Sequence, residues 1–374
     1  MFKRIAVLSV LLYLVMISQA SACTIFTASK GGKTLAGNNE DFPLPGTNVW
    51  FIPASEGKFG RVYFGIGASL PQGGMNEKGL FSDCAALPPK MDAEDSRKER
   101  FDGNLIEKAL EECSTVNEAL VLFDRYNLTH MYKSVFNFQI MLADKTGDSA
   151  IIEGDTVIRK SGDYQIATNF RHSLDVENPY SIERYTKVEN MLNGSDELSV
   201  VLFRSILDGA HQSHGSMTQY SNIYDLQTGD IYLYHFHDFE TVVKFNLHEE
   251  LKKDGHSHEI LEFFPETSPE YKALCEKFGK KVRTEVTANP AFYDEFIGEY
   301  QITPGFSITV TKENGALFAR MRGQSKYEII PESAMSYFYR DIDALFTFVR
   351  NDEGQIDSLK FTFFGNEIPA KKIN

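Results

Sequence analysis

"CTIFTASKGGKTLAGNNEDF" (residues 23–42) decides how this chain is read. Two short strand-like runs, "CTIFTA" and "KTLAGNN", flank Gly31-Gly32, a tight-turn pair, so the stretch predicts a β-hairpin. Its first residue is a cysteine, directly preceded by Ala20-Ser21-Ala22. Further upstream stand Lys3 and Arg4, then an apolar run from Ile5 to Ile17. Basic start, short apolar core and A-x-A end are the layout of a cleavable secretory signal. The apolar core is too short to span a bilayer comfortably. A cut between Ala22 and Cys23 is therefore expected, leaving Cys23 first in the mature chain with a free α-amine beside its thiol.

That juxtaposition has chemical consequences. The thiolate, not the thiol, is the nucleophile, so a cysteine needs a base. A terminal amine, with an ordinary pKa of about 7.7–8.0, accepts a proton near neutral pH. It is tied to the nucleophile's own Cα, so proximity is built in, as in N-terminal threonine enzymes. The hairpin then brings a carboxylate to that amine. A three-residue loop, Gly31-Gly32-Lys33, sets Asp41 opposite Cys23, and a two-residue loop at Gly31-Gly32 sets Glu40 there instead. Asp41 is the preferred partner, with the register left open.

Removing residues 1–22 leaves about 350 residues, room for one large domain and a smaller one. At 42% hydrophobic residues a sizeable core can be buried, and a net charge of −14 argues against nucleic acid or anionic membrane surfaces as partners. Cys23, Cys84, Cys113 and Cys275 contain no C-x-x-C pair, so no structural zinc site is expected; with Cys23 a working thiol, at most one disulfide remains. Strands are expected at 61–68, 79–87, 136–144 and 149–154, and two more over 221–236 joined by a turn at Gln227–Asp230. Helices are expected over 104–126, broken at Ser114-Thr115, and over 181–193 and 199–210. Around 265–290 the texture becomes charged, as in a surface helix leading to a linker. From Phe292 onward short alternating strands separated by Asn314-Gly315 and Asp352–Gly354 suit a small β-barrel or sandwich.

The opening stretch resembles the start of the choloylglycine hydrolase family, which includes penicillin V acylases and relatives of acid ceramidase. These are N-terminal-nucleophile hydrolases of linear amides. "GMNEKGL" (74–80), "LADKTGDSAIIEG" (142–154), "ATNFRH" (167–172), "SIERYTKV" (181–188) and "YSNIYDLQTGDIYLY" (220–234) resemble further family stretches, in order across most of 23–245. The resemblance implies an α+β fold, a four-layer αββα sandwich over 23–285, followed by a C-terminal β domain over 290–374 that looks lipocalin-like. It implies Cys23 as nucleophile, Asp41 as the amine-orienting aspartate, Asn169 as a side-chain donor of the oxyanion hole and Arg184 as the later active-site arginine. The second oxyanion donor would be the backbone N–H of Ala86, by its spacing to Pro88, where an Asn or Tyr is common in the family. The arginine of the family's first motif is Asn38 here, a substrate-contacting position whose lost charge bears on substrate choice.

The reading is thus a secreted or periplasmic hydrolase that opens a linear C–N bond of a small-molecule N-acyl amide through a thioester. It calls for no cofactor and no metal, and it has no integral membrane segment in the mature chain. It leaves homo-oligomerisation open. Two alternatives stand beside it. One is a lipid-anchored binding protein acylated at Cys23, although "ASA" lacks the usual Leu three residues before such a cysteine. The other is an acyltransferase on the same scaffold.

Overall fold

The opening hairpin runs as β1 (Thr24–Lys30) and β2 (Lys33–Asp41), with Lys30 paired to Lys33. Gly31 and Gly32 take φ of 63° and 79°. Two central residues with positive φ make a type I′ turn, whose twist matches that of the strands it joins. This corrects the preferred three-residue loop. Thr24 pairs with Asn39, so the next position out sets Glu40, not Asp41, across from Cys23. The computed structural model describes residues 23–67, 70–87, 97–99, 101, 103–126, 137–174, 179–278, 283–303, 306–321, 326–340, 343–363 and 366–373. The expected signal, residues 1–22, lies outside them.

β3 (Thr47–Ile52), β4 (Arg61–Ile66), β5 (Leu70–Asn76), β6 (Leu80–Leu87), β7 (Asn137–Asp144), β8 (Ser149–Glu153) and β9 (Thr156–Arg159) follow. Then come β10 (Tyr164–Ala167), β11 (Thr218–Asp225), β12 (Asp230–His235), β13 (Asp238–Asn246) and β14 (His256–Glu259). They form two antiparallel sheets, one ordered β10-β1-β2-β11-β12-β13, the other β14-β3-β4-β5-β6-β7-β8-β9. The helices that cover them are α1 (Leu105–Glu112), α2 (Val116–Asp124), α3 (Pro179–Asn193) and α4 (Val200–Ala210).

Sequence chemistry sets the helix boundaries. Asn104 caps α1 through the Ile106 and Glu107 N–H groups. Thr115 accepts from Glu118 N–H while the Glu118 carboxylate reaches back to Ser114 N–H at 2.6 Å, so the break at 114–115 is a capping device. Ser199 caps α4.

Three apolar clusters define four layers. Ile25, Ala36, Val49, Phe64, Phe81 and Tyr224 pack between the sheets. α1 and α2 bury Leu105, Leu110 and Phe123 against Ile140 and Ile152 of the eight-stranded sheet. α3 and α4 bury Val188, Phe203 and Leu207 against Phe26 and Leu35 of the six-stranded one. The architecture is an αββα sandwich, as expected. Eight further strands, from β15 (Gly298–Thr303) to β22 (Asn366–Lys372), close into a separate antiparallel barrel. Its core is Phe296, Tyr300, Phe346, Phe348 and Phe361. Among the described residues no helix is long and apolar enough to cross a membrane.

Candidate active site

Cys23 sits at the head of β1 in the six-stranded sheet, buried between the layers. Strand alternation then sorts the residues of β2. Asn38 and Glu40 share the face of Ile25 and Cys23, toward the other sheet; Asn39 and Asp41 face the helical layer. On that second face Asn39 Nδ2 donates to Leu207 O of α4 at 2.9 Å. Asp41 accepts from Gln212 Nε2 at 2.6 Å and from Thr218 Oγ1 at 2.5 Å.

Arg184, on α3, ties the site together. Its Nη1 donates to Cys23 O at 3.2 Å and to Thr24 Oγ1 at 2.6 Å, and lies 3.6 Å from Asp41 Oδ2. Its Nη2 donates to Asn169 Oδ1 at 2.9 Å. Asn169 Nδ2 in turn donates to Ala86 O, on β6, at 2.8 Å. One guanidinium thus links the backbone of Cys23 to Asp41 and Asn169, and Asn169 reaches Ala86. A planar guanidinium with five donors suits such a junction. All of these groups are buried. The segment carrying Asn169 is clamped from β7, where Gln139 Nε2 donates to Thr168 O and, at 3.3 Å, to Phe170 O. Sequence reasoning did not single out Gln139; a glutamine between Phe138 and Ile140 in an expected strand was the available signal.

On the inner face the thiol of Cys23 donates to Glu40 Oε1 at 3.7 Å, and Asn38 Nδ2 donates to Glu40 Oε2 at 3.5 Å. Asp83, on β6, projects into the same interior. A Cβ on Gly73 would overlap its carboxyl, and Cys84 N–H donates to it at 2.7 Å. Asp83 went unremarked in the sequence because it stands inside the apolar run "GLFSDCAAL".

Burial governs the ionisation here. It pushes the Cys23 thiol well above its ordinary range, and the charges of Glu40 and Asp41 add to this, while the Asp41 backbone N–H opposes it. Burial raises Glu40 too, helped by Asp83 and Asp41 and opposed by the hydrogen bonds from Asn38 and Cys23. Asp83 is raised to about 7 by burial, against the Cys84 N–H. Asp41 also rises to about 7 by burial, held back by Arg184, Thr218 and Gln212. Asp41 and Asp83 thus titrate near neutrality, where a carboxyl can exchange a proton at physiological pH. All four cysteines are free thiols. Among the described residues no cluster of three or more His, Cys, Asp or Glu could hold a metal ion.

Comparison with known proteins bears on both parts of the chain. Residues 282–372 match a family described as a domain of unknown function, DUF3471. Over the sandwich the chain is similar to two variants of the conjugated bile acid hydrolase from Clostridium perfringens. The first is 17% identical with a TM-score of 0.49, covering 63% of this chain and 96% of that one. The second is 17% identical with a TM-score of 0.48, covering 64% and 96%. Similarity extends to the penicillin V acylase from Agrobacterium tumefaciens, 15% identical, TM-score 0.40, covering 64% and 90%. A search of curated proteins finds no match.

Proposed function

We propose that this chain is an exported cysteine hydrolase of the N-terminal-nucleophile type, acting on a linear amide of a small N-acyl substrate. Export ends with a cut between Ala22 and Cys23, to the periplasm or outside the cell. The observation that supports this best is the convergence of Arg184 on Cys23 O, Thr24, Asp41 and Asn169. A guanidinium anchored on the nucleophile residue fixes its position relative to the acidic and amide groups that the reaction needs. Such preorganisation cuts the reorganisation required in the transition state.

In this mechanism Cys23 Sγ attacks the amide carbonyl. Asn169 Nδ2 and the Ala86 backbone N–H stabilise the oxyanion. Asp41 holds the α-amine. The amine product leaves, and water cleaves the thioester.

The test uses the exported chain with its mature N-terminus determined by mass spectrometry. It is assayed on a panel of conjugated bile salts, penicillin V, acyl-homoserine lactones and fatty-acyl amino acids. Release of the amine product by the parent and none by Cys23→Ala is the expected result. Turnover undiminished in Cys23→Ala, or a diacylglyceryl group on Cys23, refutes the proposal.

A further inference from the structure

We propose that the amide opened here carries a positive charge, an ammonium within a few bonds of the scissile C–N bond. Glu40 and Asp83 receive it, together with the side-chain oxygens of Asn38 and Asn222. The proposal rests on the hydrolase reading and deepens it by naming the class of substrate.

Position comes first. Cys23 Sγ lies 3.7 Å from Glu40 Oε1. A carbonyl carbon bonded to that sulfur, with the atoms on either side of it, comes within a few ångströms of the Glu40 carboxyl. Glu40 therefore meets the charge of any substrate that Cys23 attacks. The I′ turn sets it there, across the hairpin from Cys23 on the interior face. Asp83 projects into the same interior, fixed by Cys84 N–H and the bare backbone of Gly73, and its charge acts on Glu40. Among the described residues no lysine or arginine pairs with either carboxyl; Arg184 pairs with Asp41, on the opposite face of β2.

The second observation is a surplus of acceptors. Asn38 Nδ2 donates to Glu40 Oε2 at 3.5 Å, so the Oδ1 of the same amide borders the carboxyl, and it has no partner although Asn38 is only 1% exposed. Asn222 lies directly across from Asn38 on β11, on the face of Tyr220 and Tyr224. Its Nδ2 donates to Tyr224 OH at 2.7 Å, and its Oδ1 also has no partner, at 0% exposure. Buried acceptors left unpaired are costly, and buried like charges more so. An ammonium answers both deficits, with one positive charge for the two carboxyls and three N–H donors for oxygens that lack them. An anionic group in its place would meet like charge at a buried site, where screening is weak. The α-amine of Cys23, held by Asp41 and neutral when it takes the thiol's proton, does not supply this charge.

The test compares amides that differ only in charge, on the mature full-length protein at pH 7. One set joins a single fatty acid to ethylenediamine (cationic), ethanolamine (neutral) or glycine (anionic). A second set puts the charge on the acyl side, joining β-alanine, 3-hydroxypropanoic acid or succinic acid to aniline. In at least one set the cationic amide is expected to show kcat/KM roughly tenfold or more above the neutral one and roughly a hundredfold or more above the anionic one. Which set shows it tells on which side of the bond the ammonium sits. The preference is expected to fall toward one in Glu40→Gln, with Asp83→Asn, a neutral isostere, as the second variant should Glu40→Gln not fold. Cationic amides no better than neutral ones in both sets overturn the proposal, and turnover that disappears in Cys23→Ala then leaves the hydrolase reading standing. A preference untouched by the substitutions, or an equal loss on every amide, overturns it too, because the carboxyls then serve the fold or the α-amine rather than the charge of the substrate. Turnover of none of these amides overturns the substrate class, and the wider panel then decides the hydrolase reading.

Discussion

The sandwich and the barrel fill their interiors in opposite ways. Between the sheets and under α3 lie buried Glu40, Asp41, Asp83 and Arg184, with Asn38, Asn222 and Asn169 among them. Inside the barrel Phe296 stacks on Phe348 with ring centroids 4.3 Å apart, and Tyr300, Tyr337, Phe346 and Phe361 fill the rest. Two tyrosine hydroxyls that enter the barrel core are satisfied locally: Tyr300 OH donates to Phe296 O and Tyr339 OH donates to Ala319 O. Burying charge costs several kcal/mol unless it is paired. The barrel's buried Asp343 is paired with Arg283 at 2.8 Å, whereas in the sandwich the buried Glu40 is set against the like-charged Asp83 and Asp41, an arrangement that stability alone does not favour. A barrel whose lumen is filled by aromatic rings leaves little room for a ligand, and its packing contributes stability.

The contrast breaks most completely at Cys23. Cys23→Ala is expected to abolish turnover while leaving the melting temperature within a few degrees of the parent, measured by amine release and calorimetry. In the barrel, Phe348→Ala is expected to cost about 3–5 kcal/mol of that domain's stability. Turnover at temperatures where the variant is folded should be unchanged. A loss of turnover there would show that the barrel takes part in catalysis. Asn169→Ala is expected to lower kcat about 10²–10³-fold, the usual cost of one oxyanion donor, with little change in KM.

The smallest effect concerns pH. Asp83 holds its proton to about pH 7 in the folded chain, against about 3.9 for an ordinary aspartate. The folded state therefore binds the proton more tightly. The group's contribution to stability is complete below pH 4 and is lost as pH rises toward 7. Asp83→Asn removes that dependence. The variant should gain on the parent by at most about 1.4 kcal/mol per pH unit over this window and level off above it, measured by urea unfolding. A difference that stays flat with pH would show that Asp83 titrates normally.

What the sequence made legible follows from local chemistry. The hairpin, the capped break at Ser114-Thr115 and the alternating strands of the barrel all announce themselves in short-range pattern. β5 did not, because Pro71, Gly73 and Gly74 read as turn residues. The glycines are there for close packing, Gly73 against Asp83 and Gly74 against the Val62 carbonyl. The hairpin register was the finer point: two loop lengths fit the same letters, and only the backbone of Gly31 and Gly32 separates them. Asp83 was illegible for a related reason. A lone acid in a strand that is buried on both faces gains meaning only when the opposite sheet brings Glu40 to it.

The central claim is that Cys23 acts as the leading residue of the mature chain. The most direct test is mass spectrometry of the exported protein quenched during turnover of an N-acyl amide. The account predicts a chain beginning at Cys23, its α-amine free and its sulfur bearing the acyl group. A chain beginning at another residue, a blocked amine, or an acyl group carried elsewhere would contradict it.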